Sequence, residues 1–114
     1  MKRVTAAEVE RVADIFAAMG SAPRVQILRL LLSAHPDGLV VGDIQSELKI
    51  PNSTLSHHLE KLKMQGLVEV RRDRQFLWYT ANTKTLRNLL SFLFAECCSR
   101  NHVIEAGEII QICR

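Results

Sequence analysis

Several protein classes are excluded by what this sequence lacks. It has only three cysteines in 114 residues, too few for a small secreted scaffold held together by disulfides. No stretch approaches the roughly 18 consecutive apolar residues of a membrane span, so no membrane association is expected. The opening Met1-Lys2-Arg3-Val4-Thr5 runs into Glu8 and Glu10 rather than into an apolar segment. No secretory leader is therefore expected, and the protein reads as cytoplasmic. There is no Cys-x-x-Cys, no glycine-rich phosphate loop and no acid/base pair, which argues against an enzyme. Internal repeats and low-complexity linkers are also missing. What remains is an ordinary globular composition, 47% hydrophobic and 24% charged. The length predicts a single domain spanning residues 1–114.

The net charge of +3 is unevenly placed. Residues 1–50 carry six Lys/Arg against six Asp/Glu. Residues 51–90 carry seven (Lys61, Lys63, Arg71, Arg72, Arg74, Lys84, Arg87) against three (Glu60, Glu69, Asp73), a net of +4. Residues 91–114 come to −1. A basic centre suits either a polyanion partner or a solvated surface, and charge alone does not choose between them.

Hydrophobic periodicity predicts a mainly α chain with one β-hairpin. Thr5 caps a first helix, with Val9, Val12, Ala13 and Phe16 at helical spacing until Gly20. Pro23 opens a second helix over residues 24–34, whose Val25, Leu28, Leu31 and Leu32 are expected to be buried. His35-Pro36-Asp37-Gly38 is a turn, and Leu39-Val40-Val41 a short extended stretch. A third helix follows over residues 42–49. A fourth starts at Pro51-Asn52-Ser53-Thr54, with Asn52 as its cap, and ends at Gly66. The period then changes from 3.6 to 2. Residues 67–72 and 75–80 flank Asp73-Arg74 as an antiparallel hairpin. Thr83 caps a fifth helix over residues 84–100, with an apolar arc of Leu86, Leu89, Leu90, Leu93, Phe94 and Cys97. That arc is wider than one small domain needs, so helices one and five are expected to form a homodimer interface. Residues 101–114 add a short sixth helix at most.

Two helices joined by a short turn and followed by a basic hairpin form a winged helix-turn-helix layout, with the fourth helix as the reader of the DNA major groove. Leu55, Leu59 and Leu62 anchor that helix on one face. Asn52, Ser53, Thr54, Ser56, His57 and Lys61 project from the rest, offering short hydrogen-bonding groups near a helix N-terminus and a cation further along. An ordinary surface helix carries Glu/Lys pairs at such positions. His58 lies beside the leucines and reads as a packed, hydrogen-bonded histidine. In the hairpin, Arg71, Arg72 and Arg74 gather about the tip, within reach of phosphate or the adjacent minor groove. They also protect an exposed strand edge, and the two roles are compatible.

The segments Ala18-Met19-Gly20-Ser21-Ala22-Pro23-Arg24-Val25-Gln26-Ile27-Leu28 and Asn52-Ser53-Thr54-Leu55-Ser56-His57-His58-Leu59, followed by Leu62, Gly66-Leu67-Val68 and the arginine-rich wing, closely resemble the ArsR/SmtB family of metal-responsive repressors. The resemblance covers about residues 10–95. It implies a symmetric dimer that binds double-stranded operator DNA, represses transcription and leaves the DNA when an effector binds. The wing departs from the pattern, with Arg74-Gln75 where many relatives have a glycine. Val40, Val41 and Gly42 occupy the positions of the family's Cys-Val-Cys site, so that site is absent. The acidic and histidine ligands of the zinc sensors' last helix are missing too, and Lys84, Leu86 and Leu90 stand in its early half.

All three cysteines, Cys97, Cys98 and Cys113, lie in the last 18 residues. Neighbouring helical residues point about 100° apart, yet two flexible thiol arms can converge on one large ion. Three thiolates without imidazole or carboxylate suit a soft, thiophilic ion, whereas zinc usually takes four ligands. The resemblance points to As(III) or Sb(III) as inducer, since some relatives place an arsenic site in this region. Another thiophilic metal, or oxidation of the same thiols, is the alternative. Cys97 as a packed small hydrophobe and Cys113 as an incidental tail residue is the plain structural reading. His102 is a weaker fourth ligand.

Overall fold

A computed structural model describes residues 3–100. They form α1 (Ala6–Met19), α2 (Ala22–Ser33), β1 (Leu39–Val40), α3 (Val41–Leu48), α4 (Asn52–Met64), β2 (Val68–Asp73), β3 (Phe76–Ala81) and α5 (Thr83–Phe94). The expected sixth helix, His102 and Cys113 lie outside the described residues.

Helix α1 begins where a hydroxyl can satisfy its first free amides. Thr5 Oγ1 accepts a hydrogen bond from the Glu8 N–H at 3.1 Å. Helix α2 starts at Ala22 with Pro23 in its first turn, where the missing N–H costs nothing. Its buried face is Ile27, Leu28 and Leu31. Val25 and Leu32, both expected inside, are 44% and 41% exposed. They lie about 40–60° beyond Leu28 on the side away from Ile27 and Leu31, past the edge of the packed face.

Gly38 (φ 84°) turns the chain into β1, and a Cβ there would overlap the Tyr79 carbonyl oxygen. Only glycine meets both conditions. Strand β1 pairs antiparallel with β3 (Leu39↔Tyr79, Val40↔Trp78), so the sheet has three strands in the order β1-β3-β2 rather than the two of a bare hairpin. Two residues are too few to leave a periodic signal.

The core centres on α4. Leu55, Leu59 and Leu62 are at most 2% exposed and join Ile27, Leu31, Ile44, Leu67 and Val68. Burying each such side chain contributes about 1.5–3 kcal/mol, which fixes the rotation of α4 about its axis.

Three helix ends differ from expectation. Asn52 is the first residue of α4 rather than its cap, because the Pro51 carbonyl already accepts the Leu55 N–H at 2.8 Å. Asn82, not Thr83, caps α5, its Oδ1 accepting the Thr85 N–H at 3.1 Å. Helix α5 ends at Phe94 rather than at residue 100. Beyond it the chain turns through short-range bonds, Cys97 N–H to Phe94 O and Ser99 N–H to Glu96 O, and Cys98 adopts φ 58°. A left-handed residue cannot continue a right-handed helix. The two adjacent cysteines therefore stand past the helix and not on it. Phe92, expected outside the apolar arc, packs against the core, while Leu93 is 59% exposed.

Candidate nucleic-acid interface and thiol pair

Helix α3 leads through Lys49, in left-handed conformation at φ 55°, and a short connection into α4. With its leucine face held in the core, α4 presents Asn52, Ser53, Thr54, Ser56, His57 and Lys61 to solvent. No side-chain hydrogen bond within the described residues engages any of the six. Their donors and acceptors are open to a ligand, as are the first free amides of α4, where the helix dipole favours an anion. The histidines divide as their positions suggest. His57 is exposed, whereas His58 is half-buried and its Nδ1 accepts a hydrogen bond from Arg24 Nε at 3.0 Å. Burial, then the Arg24 guanidinium, then His57 hold the His58 imidazole below its ordinary pKa of 6.5.

The three wing arginines have three different settings. Arg71 stands over the Trp78 ring at 5.5 Å and donates from Nη2 to the Asp37 carbonyl at 3.2 Å. It thereby ties the wing to the α2–β1 turn. Arg72 Nε donates to the Arg74 carbonyl at 3.2 Å, bracing the tip. Arg74 itself has φ 60° and opens the two-residue loop closed by the Asp73↔Phe76 pair. That is the loop position where glycine is usual, and an L-residue there costs about 1–2 kcal/mol. The tip is thus built without the glycine, and Arg74 is left as its outward cation.

Sequence reasoning missed Arg24. It lies in the first turn of α2, where a cation opposes the helix dipole, and that mismatch was the available signal of a dedicated partner. Besides His58, Arg24 reaches the end of α1, donating from Nη1 to the Ala18 carbonyl at 3.2 Å.

Past α5, the half-buried Cys97 and Cys98 bring their Sγ atoms to 3.2 Å. Among the described residues, no three His, Cys, Asp or Glu side chains form a group able to hold a metal. Between α1 and α5 runs an open groove of about 1150 Å³, floored by Val12, Ile15, Leu89 and Phe92 and flanked by Val4 and Leu93. No single described helix is long and apolar enough to cross a membrane.

This is the arrangement of a winged helix-turn-helix, a DNA-binding class and not an enzyme class. The helix-turn-helix domain family matches residues 19–71. The transcriptional activator HlyU of Vibrio cholerae is 34% identical over 84 residues, covering 74% of this chain and 75% of that protein. Its structure superposes with a TM-score of 0.66 at 30% identity, covering 82% of this chain and 99% of HlyU. The cadmium resistance regulatory protein CadC of Listeria innocua is 30% identical over 79 residues, 69% of this chain and 65% of its own. A homodimeric winged helix-turn-helix domain of Mycobacterium bovis Mb0332, described as a possible ArsR-family regulator, superposes with a TM-score of 0.64. It is 27% identical and covers 92% of this chain and 100% of that domain. The chain belongs to the ArsR/SmtB family of winged-helix transcriptional regulators.

Proposed function

We propose that the protein is a cytoplasmic homodimeric repressor that holds operator DNA with α4 and the wing. In this reading, arsenite or antimonite bound to Cys97, Cys98 and Cys113 releases it. The DNA half rests on the open polar face of α4 beside the Arg74 tip. Asn52, Ser53 and Thr54 meet phosphate near the helix N-terminus, Ser56 and His57 face base edges, and Lys61 adds a cation further along. The dimer half rests on the apolar side chains that α1 and α5 leave outside, Val9 at 51% and Leu93 at 59% exposure, and on the homodimeric state of the Mb0332 domain. Two-fold symmetry then asks for inverted half-sites about 10 bp apart, or a multiple of that.

The carrying observation for the sensor is the short thiol separation. With metal–sulfur bonds of about 2.3 Å, sulfurs 3.2 Å apart subtend roughly 90° at a shared ion, well below the ~109° of a tetrahedral zinc site. The stereochemical lone pair of As(III) or Sb(III) compresses its three bonds toward such angles, and a third thiolate from Cys113 completes the pyramid. Another thiophilic metal, or oxidation of the same two thiols, is the alternative that the short separation also favours. To move the dimer from mostly bound to mostly free, the ion must favour the released state by about 5.5 kcal/mol.

The test is operator binding by the reduced protein, titrated with arsenite, antimonite, zinc and cadmium. Release by the trivalent ions at near one equivalent per subunit, with about three sulfur neighbours by X-ray absorption, is expected. Release by cadmium alone would move the assignment to a divalent metal sensor.

A further inference from the structure

We infer that Arg24 is a positioning residue for the reader helix: its bond to His58 clasps α4 to the α1–α2 corner, and a proton on His58 opens the clasp and weakens DNA binding. The inference rests on the DNA-reading role proposed for α4. One guanidinium spans three helices. It belongs to the first turn of α2, donates from Nη1 to Ala18 O at the end of α1, and donates from Nε to His58 Nδ1 in the middle of α4. His58 lies between the exposed His57 and the buried Leu59, so the clasp acts where the reading face meets the core. The leucines fix the rotation of α4 by packing, and this directional contact adds a tether to the α1–α2 corner at the edge of the reading face.

Arginine keeps its proton under all ordinary conditions and offers only donors. The bond therefore exists only while Nδ1 carries no proton, which makes His58 the Nε2–H tautomer. Protonating Nδ1 replaces the acceptor with a second donor and sets two cations in contact. The charged and titratable groups that act on His58 are Arg24 from α2 and His57 from its own helix, and both disfavour a proton on it, while the Ala18 carbonyl of α1 holds the same Arg24 guanidinium. The sign follows from linkage. The clasped form binds the proton less readily than the open form, so the clasp is complete above the ordinary pKa of 6.5 and weakens as pH falls below it.

The experiment uses the full chain and a duplex that the parent protein selects from a random pool at about pH 8, with affinity read by fluorescence anisotropy at fixed ionic strength. Between about pH 7.5 and 5.5 the parent is expected to lose affinity about three-fold. His58→Gln keeps an acceptor that does not titrate. It should bind within about three-fold of the parent at the higher pH and lose the decline. Arg24→Gln should bind more weakly at both, with a flat profile. A parent affinity that is level or rises on acidification, or a decline that persists in His58→Gln, overturns the inference. Histidine NMR titration of the DNA-free protein gives an independent reading. His58 should be the Nε2–H tautomer, titrate below 6.5, and titrate higher in Arg24→Gln. If that variant does not fold, the parent spectrum decides, and a His58 titrating at or above 6.5, or protonated at Nδ1, overturns the clasp. If no duplex is selected, the DNA-reading role fails, while the NMR result still judges the clasp.

Discussion

Helices α4 and α5 are nearly equal in length, 13 and 12 residues, and both carry leucines at helical spacing, yet those leucines meet different fates. In α4, Leu55, Leu59 and Leu62 are all buried by the chain's own α1, α2 and β2. In α5 only Leu89 is buried, Leu86 and Phe92 are partly covered, and Leu93 stands 59% exposed over an open groove. One helix is completed by its own subunit and the other is not. The difference separates the tasks. In the proposed reading, the DNA-reading element is completed within each protomer, and the element that sets the distance between two readers is left for a second copy.

Exchanging the fates of the two leucine sets is the strongest way to break this comparison. Leu59→Ala should cost about 2–5 kcal/mol in urea unfolding, because it opens a cavity in a filled core. Leu93→Asp should leave the protomer's secondary structure intact and convert the dimer to monomer in analytical ultracentrifugation. A Leu93→Asp protein that unfolds outright would mean that α5 is completed within one chain. At the DNA surface the effects are smaller and differ in kind. Ser56→Ala should cost about 1–3 kcal/mol on the preferred duplex and relax its base preference, whereas Arg74→Ala should weaken all duplexes evenly and reduce the salt slope by about one. Arg71→Ala is expected to act through wing stability instead, since that side chain is engaged with Trp78 and Asp37. The smallest effect is at the start of α1, where Thr5→Ala should cost about 1 kcal/mol through the lost cap.

The architecture was legible where periodicity ran long enough. The switch from a 3.6-residue to a 2-residue repeat after Gly66 placed the hairpin, and the Thr5 cap and Gly20 stop bounded α1. Legibility failed where tertiary packing chose between equal local options. Val25 and Leu32 are as apolar as Ile27, and the positions of β3, α3 and α4 decide which side of α2 is covered. The two-residue β1 becomes a strand only because β3 lies beside it. At the candidate site, the outward residues of α4 followed from the leucine stripe alone. The different settings of Arg71, Arg72 and Arg74 did not, because a charge count carries no information about which cation has a carbonyl or a ring within reach. The end of α5 was misread for a related reason. Leu93, Phe94 and Cys97 continue the helical spacing in sequence, but the backbone turns away at Phe94 and brings Cys97 and Cys98 together beyond it.

That turn gives the sensor reading its most direct test, because it puts two thiols together at the end of the helix that the proposed reading leaves to a second copy. The measurement is release of a selected operator duplex by arsenite, followed by anisotropy for the reduced parent and for the Cys97→Ser/Cys98→Ser protein. Both should bind the duplex alike without the ion. The parent should then dissociate at near one equivalent per subunit, and the double variant should stay bound at a large excess. Normal release from the double variant would contradict the account.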